Sequence, residues 1–225
     1  AVVNSPPTVS DLIKTGNENA DITFTATDFI NQFTDADANQ VTKIKISSLP
    51  ADGTLKFNSI TVTENQEINV GEVGNLTFTP NPNFSGNTTF GWNGFDGITY
   101  AVAGAAVNLT VNAVNDAPIV STVIKEGSED TDIAFIPTDF TSSFGDLDRD
   151  NLVKIQVISL PVNGTLKLSG AAVSVNQEIT AAEIENLTFT PNTNFTGSIS
   201  FNWNASDGNA YAGTTGTVNL NIQSV

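Results

Sequence analysis

Short runs of alternating apolar and polar residues recur along the chain, and turn residues separate them. Ile22, Phe24 and Ala26 alternate with Thr23 and Thr25, and Ile44 and Ile46 with Lys43 and Lys45. Leu76 and Phe78 alternate with Thr77 and Thr79, and Phe90 and Trp92 with Thr89 and Gly91. Val107, Leu109 and Val111 alternate with Asn108 and Thr110. A period of two is the mark of a strand with one face buried. The breaks fall at Pro50 to Gly53, at Pro80 to Gly86 and at Asp96-Gly97, which is turn chemistry. Glu64 to Gly74 alternates little and is the place for a short helical turn. No longer stretch has helical periodicity. The pattern predicts about seven strands in roughly 110 residues, which is the layout of an Ig-like antiparallel sandwich.

The same pattern occurs twice. A shift of 111 residues lays Asn4–Val114 on Asn115–Val225 without a gap, and 53 of the 111 pairs are identical by direct count. Asn75-Leu-Thr-Phe-Thr-Pro-Asn81 returns as Asn186-Leu-Thr-Phe-Thr-Pro-Asn192, and Gly53-Thr-Leu-Lys56 as Gly164-Thr-Leu-Lys167. Asp28-Phe29, Trp92 and Asp96-Gly97 return as Asp139-Phe140, Trp203 and Asp207-Gly208. This is duplication of one unit. The expected domains are 1–114 and 115–225. Val2-Val3-Asn4 is like Ala113-Val114-Asn115, so the chain is expected to open inside the last strand of an earlier unit, as a piece of a longer array. Trp92 and Trp203 share a strand face with Phe90 and Phe201, which predicts core positions.

Composition narrows the function. The chain has 24 acids, 8 bases and a formal net charge of -16. An acidic surface repels nucleic acid and anionic membrane, while it attracts cations. No apolar run is long enough to span or enter a membrane. Cys, Met and His are all absent. That removes thiol catalysis, zinc thiolate sites and the commonest general base. No nucleophile elbow or phosphate loop occurs, so no enzyme is expected.

The acids cluster. Unit two holds Asp146, Asp148 and Asp150 on alternate positions, and unit one holds Asp35, Asp37 and Asn39. Alternate acids on an irregular segment are expected to aim their oxygens to one side. Such a set suits a hard cation with six to eight oxygen ligands; a solvated surface loop is the bland reading. In a seven-strand sandwich this loop, the last hairpin with Asp207 (Asp96 in unit one) and the linker Asn115-Asp116 fall at the end where the chain enters. Glu18 falls at the exit end of unit one. These segments are expected to meet at the joint between the units.

These segments resemble a known family. Asn115-Asp116-Ala117-Pro118 is similar to the linker between cadherin repeats. Glu129-Asp130-Thr131, Asp146-x-Asp148-x-Asp150, Leu160-Pro161-x-x-Gly164-Thr165-Leu166 and Phe189-Thr-Pro191 resemble the cadherin-like tandem repeats of large bacterial surface proteins. The resemblance covers both units. It implies two cadherin-like sandwiches, calcium between successive domains, and a role in adhesion or in rigid extension outside the cell. It implies Asp146 and Asp148 as loop ligands, with Asp150 beside them, and Asn115 and Asp116 as linker ligands. It implies Glu18 as the acid from the preceding domain, with Asp207 a looser match. Unit one departs from the pattern. Ser5, Asn39 and Asn19 stand where unit two has Asp116, Asp150 and Asp130, so Asp35, Asp37, Asn39 and Asp96 are expected to form a weaker site. The implied partners are calcium ions, neighbouring repeats, and further copies or a surface glycan or protein. The alternative is a carbohydrate-binding module that uses Tyr100, Tyr211 and Phe95.

Overall fold

The computed structural model describes residues 3–225, and Val2, part of the expected opening strand, lies outside them. The chain divides into two compact units, Ala1–Val114 and Asn115–Val225. Each is a two-layered β-sandwich.

In unit one the strands are β1 (Thr8–Val9), β2 (Leu12–Asn17), β3 (Ile22–Thr23), β4 (Phe33–Thr34), β5 (Lys43–Ile46) and β6 (Gly53–Phe57). They continue with β7 (Ile60–Thr61), β8 (Glu67–Asn69), β9 (Leu76–Pro80), β10 (Gly86–Phe95) and β11 (Ala105–Asn112). One sheet runs β2-β11-β10-β5-β8 and the other β3-β9-β6-β7, with β1 and β4 forming a small ribbon. Every pairing is antiparallel except β2 with β11.

Unit two repeats this with β12 (Ile119–Val120), β13 (Val123–Ser128), β14 (Ile133–Ala134), β15 (Phe144–Gly145), β16 (Lys154–Val157) and β17 (Gly164–Leu168). β18 (Ala171–Ala172), β19 (Glu178–Thr180), β20 (Leu187–Pro191), β21 (Gly197–Ser206) and β22 (Gly216–Gln223) complete it. Its sheets run β13-β22-β21-β16-β19 and β14-β20-β17-β18.

The alternating strands lie where the pattern puts them, with one exception. Alternation from Ile22 to Ala26 predicts one strand, yet β3 ends at Thr23 and a helical turn, α1 (Ala26–Ile30), follows. The cause is local. The Asp28 carboxylate accepts the Thr25 N–H at 2.8 Å, satisfying a free amide at the start of the turn. In unit two α2 (Pro137–Thr141) uses Asp139 in the same way, at 2.9 Å from the Ile136 N–H, and opens on Pro137. Lys14 and Lys125 hold those two aspartates at 2.6 Å. The helical turn expected within Glu64 to Gly74 is a 3₁₀ turn over Val70–Asn75.

These turns carry the aromatic core. Phe29 meets Trp92 edge to face with centroids 5.0 Å apart, and Phe140 meets Trp203 in the same geometry at 5.0 Å. Both tryptophans are fully buried, as their strand face predicts.

The strand order places the functional loops. Phe95 pairs with Lys43, so the β4–β5 loop and the β10–β11 hairpin share one end of unit one. Asn17 pairs with Asn112 at the opposite end. Unit two has the same arrangement, with Lys154 paired to Ser206 and Ser128 to Gln223.

Candidate cation-binding loops

In unit two, Asp146 organises its own loop. Its Oδ1 accepts the backbone N–H of Asp148 at 2.8 Å and of Asp150 at 3.2 Å. The expectation that alternate acids simply aim their oxygens to one side therefore gives way to a turn built around one carboxylate. Arg149 takes a positive φ within it. Asp148 Oδ2 accepts the Asp116 N–H at 2.7 Å, which ties the linker to the loop.

The hairpin joins the same set. Asp207 is buried and its Oδ1 accepts the N–H groups of Asn209 and Ala210, each at 2.6 Å. Its Oδ2 accepts the Asn115 amide at 3.0 Å, and the Asn209 amide returns to Asn115 Oδ1 at 2.9 Å. Burial alone would raise the Asp207 carboxyl, but these donors outweigh it and hold the group below its ordinary value. Asp150 has no hydrogen-bond partner for its carboxylate among the described residues.

Two buried oxygens are left over. Asp116 Oδ2 and Asp146 Oδ2 are buried from solvent with no hydrogen-bond partner. An unpaired buried carboxylate oxygen is costly, and a cation is one of the few species that satisfies it. In chemical kind the loop fits a hard cation, because it offers carboxylate and amide oxygens and no nitrogen or sulfur ligand. In geometry it is not closed: among the described residues no three acidic side chains converge on one point. The turn explains why. Asp146, Asp148 and Asp207 each commit one oxygen to backbone amides.

Unit one has the same frame with fewer charges. Asp35 Oδ1 accepts the N–H of Asp37 at 2.8 Å and of Asn39 at 3.1 Å, and Asp37 Oδ2 accepts the Ser5 N–H at 2.6 Å. Asn4 donates to Asp96 Oδ2 at 3.0 Å. Burial would raise Asp96, and its donors from Asn4, Thr99 and Ile98 again lower it overall. The Asn39 amide donates to Asn4 Oδ1 at 3.0 Å, a role that Asn209 plays in unit two. Among the described residues, Asp35 Oδ2 is the one buried carboxylate oxygen of this loop left unpartnered.

Glu18 lies at the opposite end of unit one from this loop. It is 3% exposed, and its Oε1 accepts the Val114 N–H at 2.6 Å. Glu129 does the same for Val225 at 3.1 Å. Sequence reasoning passed over Asn4 and Asn209. The 111-residue shift from Asn115 marks Asn4, whereas Asn209 stands opposite Ile98 and carries no such signal.

The aromatic residues of the carbohydrate alternative are occupied by the protein. Phe95 and Tyr100 are half-buried and pack with centroids 4.8 Å apart, and the Lys45 ammonium sits 4.3 Å over the Tyr100 ring. Tyr211 donates to Glu178 and lies 5.4 Å beneath the Lys154 ammonium. Burial, and then the neighbouring Glu67 carboxylate, push the Tyr100 phenol upward.

Comparison with known proteins places this frame. The cadherin-like domain model matches residues 3–112 and again 114–223. No curated protein matches the chain. Among solved structures, the EC1-2 pair of human protocadherin-24 is 8% identical with a TM-score of 0.50, over 99% of this chain and 100% of that one. The EC1-2 pair of human mucin-like protocadherin is 18% identical with a TM-score of 0.49, over 97% and 98%. An endo-fucoidan hydrolase of glycoside hydrolase family 107 is 19% identical with a TM-score of 0.32. That match covers 98% of this chain but 29% of the hydrolase, so the chain spans under a third of its length. Two sandwiches of one topology, each matched nearly end to end by one family model, establish that the chain belongs to the cadherin-like domain family and holds two tandem copies of its domain.

Proposed function

We propose that this chain is a calcium-binding repeat module of a large bacterial surface protein, acting outside the cell in adhesion or as a calcium-stiffened extender. The observation that carries the reading is the pair of unpartnered carboxylate oxygens on Asp116 and Asp146, in a loop set made only of oxygen donors. Asp148, Asp150, Asn115 and Asp207 complete the proposed ligand set in unit two. Glu18 joins it on the resemblance alone, as the acid contributed by the preceding unit. Asp35, Asp37, Asn39 and Asp96 form the weaker set of unit one.

Calcium would neutralise a loop whose charges otherwise repel. Extracellular modules bind it with dissociation constants of roughly 10⁻⁴ to 10⁻³ M. At ten times that concentration, linkage adds about 1.4 kcal/mol per site to the folded state. The reading has no reaction in it: the acids recur at loops in both units, which suits a repeated structural role better than one cleft. Adhesion between copies, or to a surface glycan or protein, belongs to the same reading. Among the described residues no helix is long and apolar enough to cross a membrane.

Calorimetry with and without calcium tests it. Calcium should raise the melting temperature of the wild-type chain, and the pair Asp146→Ala with Asp148→Ala should abolish the rise. Identical melting in calcium and in EDTA would sink the calcium reading and leave an inert spacer.

A further inference from the structure

The chain carries 24 acids and 8 bases, yet the outward face of three adjoining strands in each unit, β2-β11-β10 and β13-β22-β21, is almost free of charge, with Lys43, Lys45 and Glu67, or Lys154 and Glu178, standing beyond it on the same sheet. On β10 the outward positions from Asn87 to Asn93, and on β11 those from Ala106 to Asn112, hold only Asn, Thr, Gly and Ala. On β21 and β22 the matching positions hold Ser, Asn, Thr and Gln. The adjoining β2 adds no charge on this side, and β13 adds Glu126 alone.

One row across this face has the same chemistry in both units: a hydroxyl, an asparagine and an isoleucine. Thr89 pairs with Asn108, which pairs with Ile13. Ser200 pairs with Asn219, which pairs with Ile124. Among the described residues the side chains of Asn108, Asn219, Thr89 and Ser200 have no hydrogen-bond partner in the protein, whereas neighbours such as Asn87 and Asn221 bond across the strands. The isoleucines stand out from the sheet, with Ile13 73% and Ile124 67% exposed. A free amide supplies two donors and an acceptor, and a free hydroxyl supplies one donor and two acceptor lone pairs. The three side chains span about 10 Å of rigid sheet, two strand spacings, which is comparable to a disaccharide.

We propose that this face binds a neutral polysaccharide, with the Asn108 and Asn219 amides taking sugar hydroxyls and Ile13 and Ile124 covering the C–H face of a ring. A neutral ligand suits a neutral face on an otherwise acidic molecule, because an acidic polymer would be repelled by the surrounding charge. A protein partner would find no exposed aromatic or arginine anchor on it. Tyr100 is covered by the Lys45 ammonium, and Tyr211 by the Lys154 ammonium and its bond to Glu178. The proposal goes beyond the calcium reading and does not need it.

The test is affinity electrophoresis of the whole 225-residue chain in gels containing mixed-linkage β-glucan, galactomannan or arabinoxylan, with alginate as the acidic comparator. At least one neutral polymer should retard the chain, equally in calcium and in EDTA, and alginate should not. Asn108→Asp with Asn219→Asp, nearly isosteric and checked for unchanged melting, should weaken binding about tenfold or more, the loss of an amide donor at each row. Thr61→Asp, on the other sheet, should leave it intact. The proposal is overturned by no retardation in any of the three neutral polymers, by undiminished binding of the double variant, or by loss in Thr61→Asp. Binding to alginate alone, or binding lost in EDTA, overturns it as well. Concentration-dependent sedimentation that the double variant abolishes, without retardation, would assign the face to a second copy instead.

Discussion

Unit one and unit two share one sandwich and differ at the loops where each chain segment enters. The inward face of β10 carries Phe90 and Trp92, and that of β21 carries Phe201 and Trp203. The turn-building carboxylate is present in both, as Asp35 and Asp146. Unit two then adds Asp116 and Asp150 where unit one has Ser5 and Asn39. The effect is visible atom by atom. Asn39 donates its amide to Asn4 and closes the unit-one loop on itself, while Asp150 cannot donate and leaves the unit-two loop more negative. Among the described residues, the entry loops of unit two thus keep two buried, unpartnered carboxylate oxygens where those of unit one keep one. The lesson is that the turn comes from one aspartate kept in register, while the proposed difference in cation binding rests on two substitutions that leave the turn intact.

The largest test concerns what the units share. Phe29→Ala and Phe140→Ala each remove a ring packed 5.0 Å from a tryptophan. Each should cost about 3–5 kcal/mol, and equally in the two units, read as the shift of one of two unfolding transitions by calorimetry. Unequal losses would break the claim of a common framework.

Asp146→Ala and Asp35→Ala come next. Each removes the acceptor of two loop amides, so both should lower stability in EDTA. In calcium at ten times the dissociation constant, Asp146→Ala should lose about a further 1.4 kcal/mol, and Asp35→Ala less. Equal calcium-dependent losses would mean that the entry loops are not functionally distinct.

How far the sequence foretells all this depends on the interaction. Period-two alternation foretells the long strands, because burial of one face is written in every second residue. It fails at Phe24 to Ala26, where Asp28, four residues past Phe24, bends the chain through a backbone bond that hydropathy does not encode. The candidate loops are legible as clusters of acids and as departures under the 111-residue shift. The bonding inside them is not. Which oxygen of Asp146 takes amides and which is left over depends on the φ of Arg149 and on the path of the linker. Asn209 was invisible for the same reason, since a hairpin brings it to Asn115 across 94 residues.

A transplant sharpens the comparison from the weaker side. Ser5→Asp with Asn39→Asp gives unit one the acids of unit two. It should raise the calcium affinity of unit one several-fold by ligand charge, measured by isothermal titration, and lower its stability in EDTA by like-charge repulsion. No gain in affinity would place the difference between the units elsewhere than in these two positions.

The smallest effect returns to something both loops share. Asp96 and Asp207 are each buried against their own hairpin, and in each the amide donors outweigh burial and lower the carboxyl from its ordinary value. A carboxyl lower in the folded than in the unfolded chain stabilises the fold, in full above the unfolded value of about 3.9. That contribution fades as pH falls through the folded value, because the folded state must then take up the proton it resists. Melting in EDTA followed from pH 6 down to the lowest pH that still gives a reversible transition (about 2) should therefore show both transitions falling in the acid range. Asp96→Asn and Asp207→Asn should each flatten the fall of their own unit alone. Calcium would mask the effect in unit two more than in unit one, because cation and proton compete for the same oxygens. A flattening of both transitions by either variant would show that the two hairpins are not independent, and the comparison of separate entry loops would have to be redrawn as one coupled set.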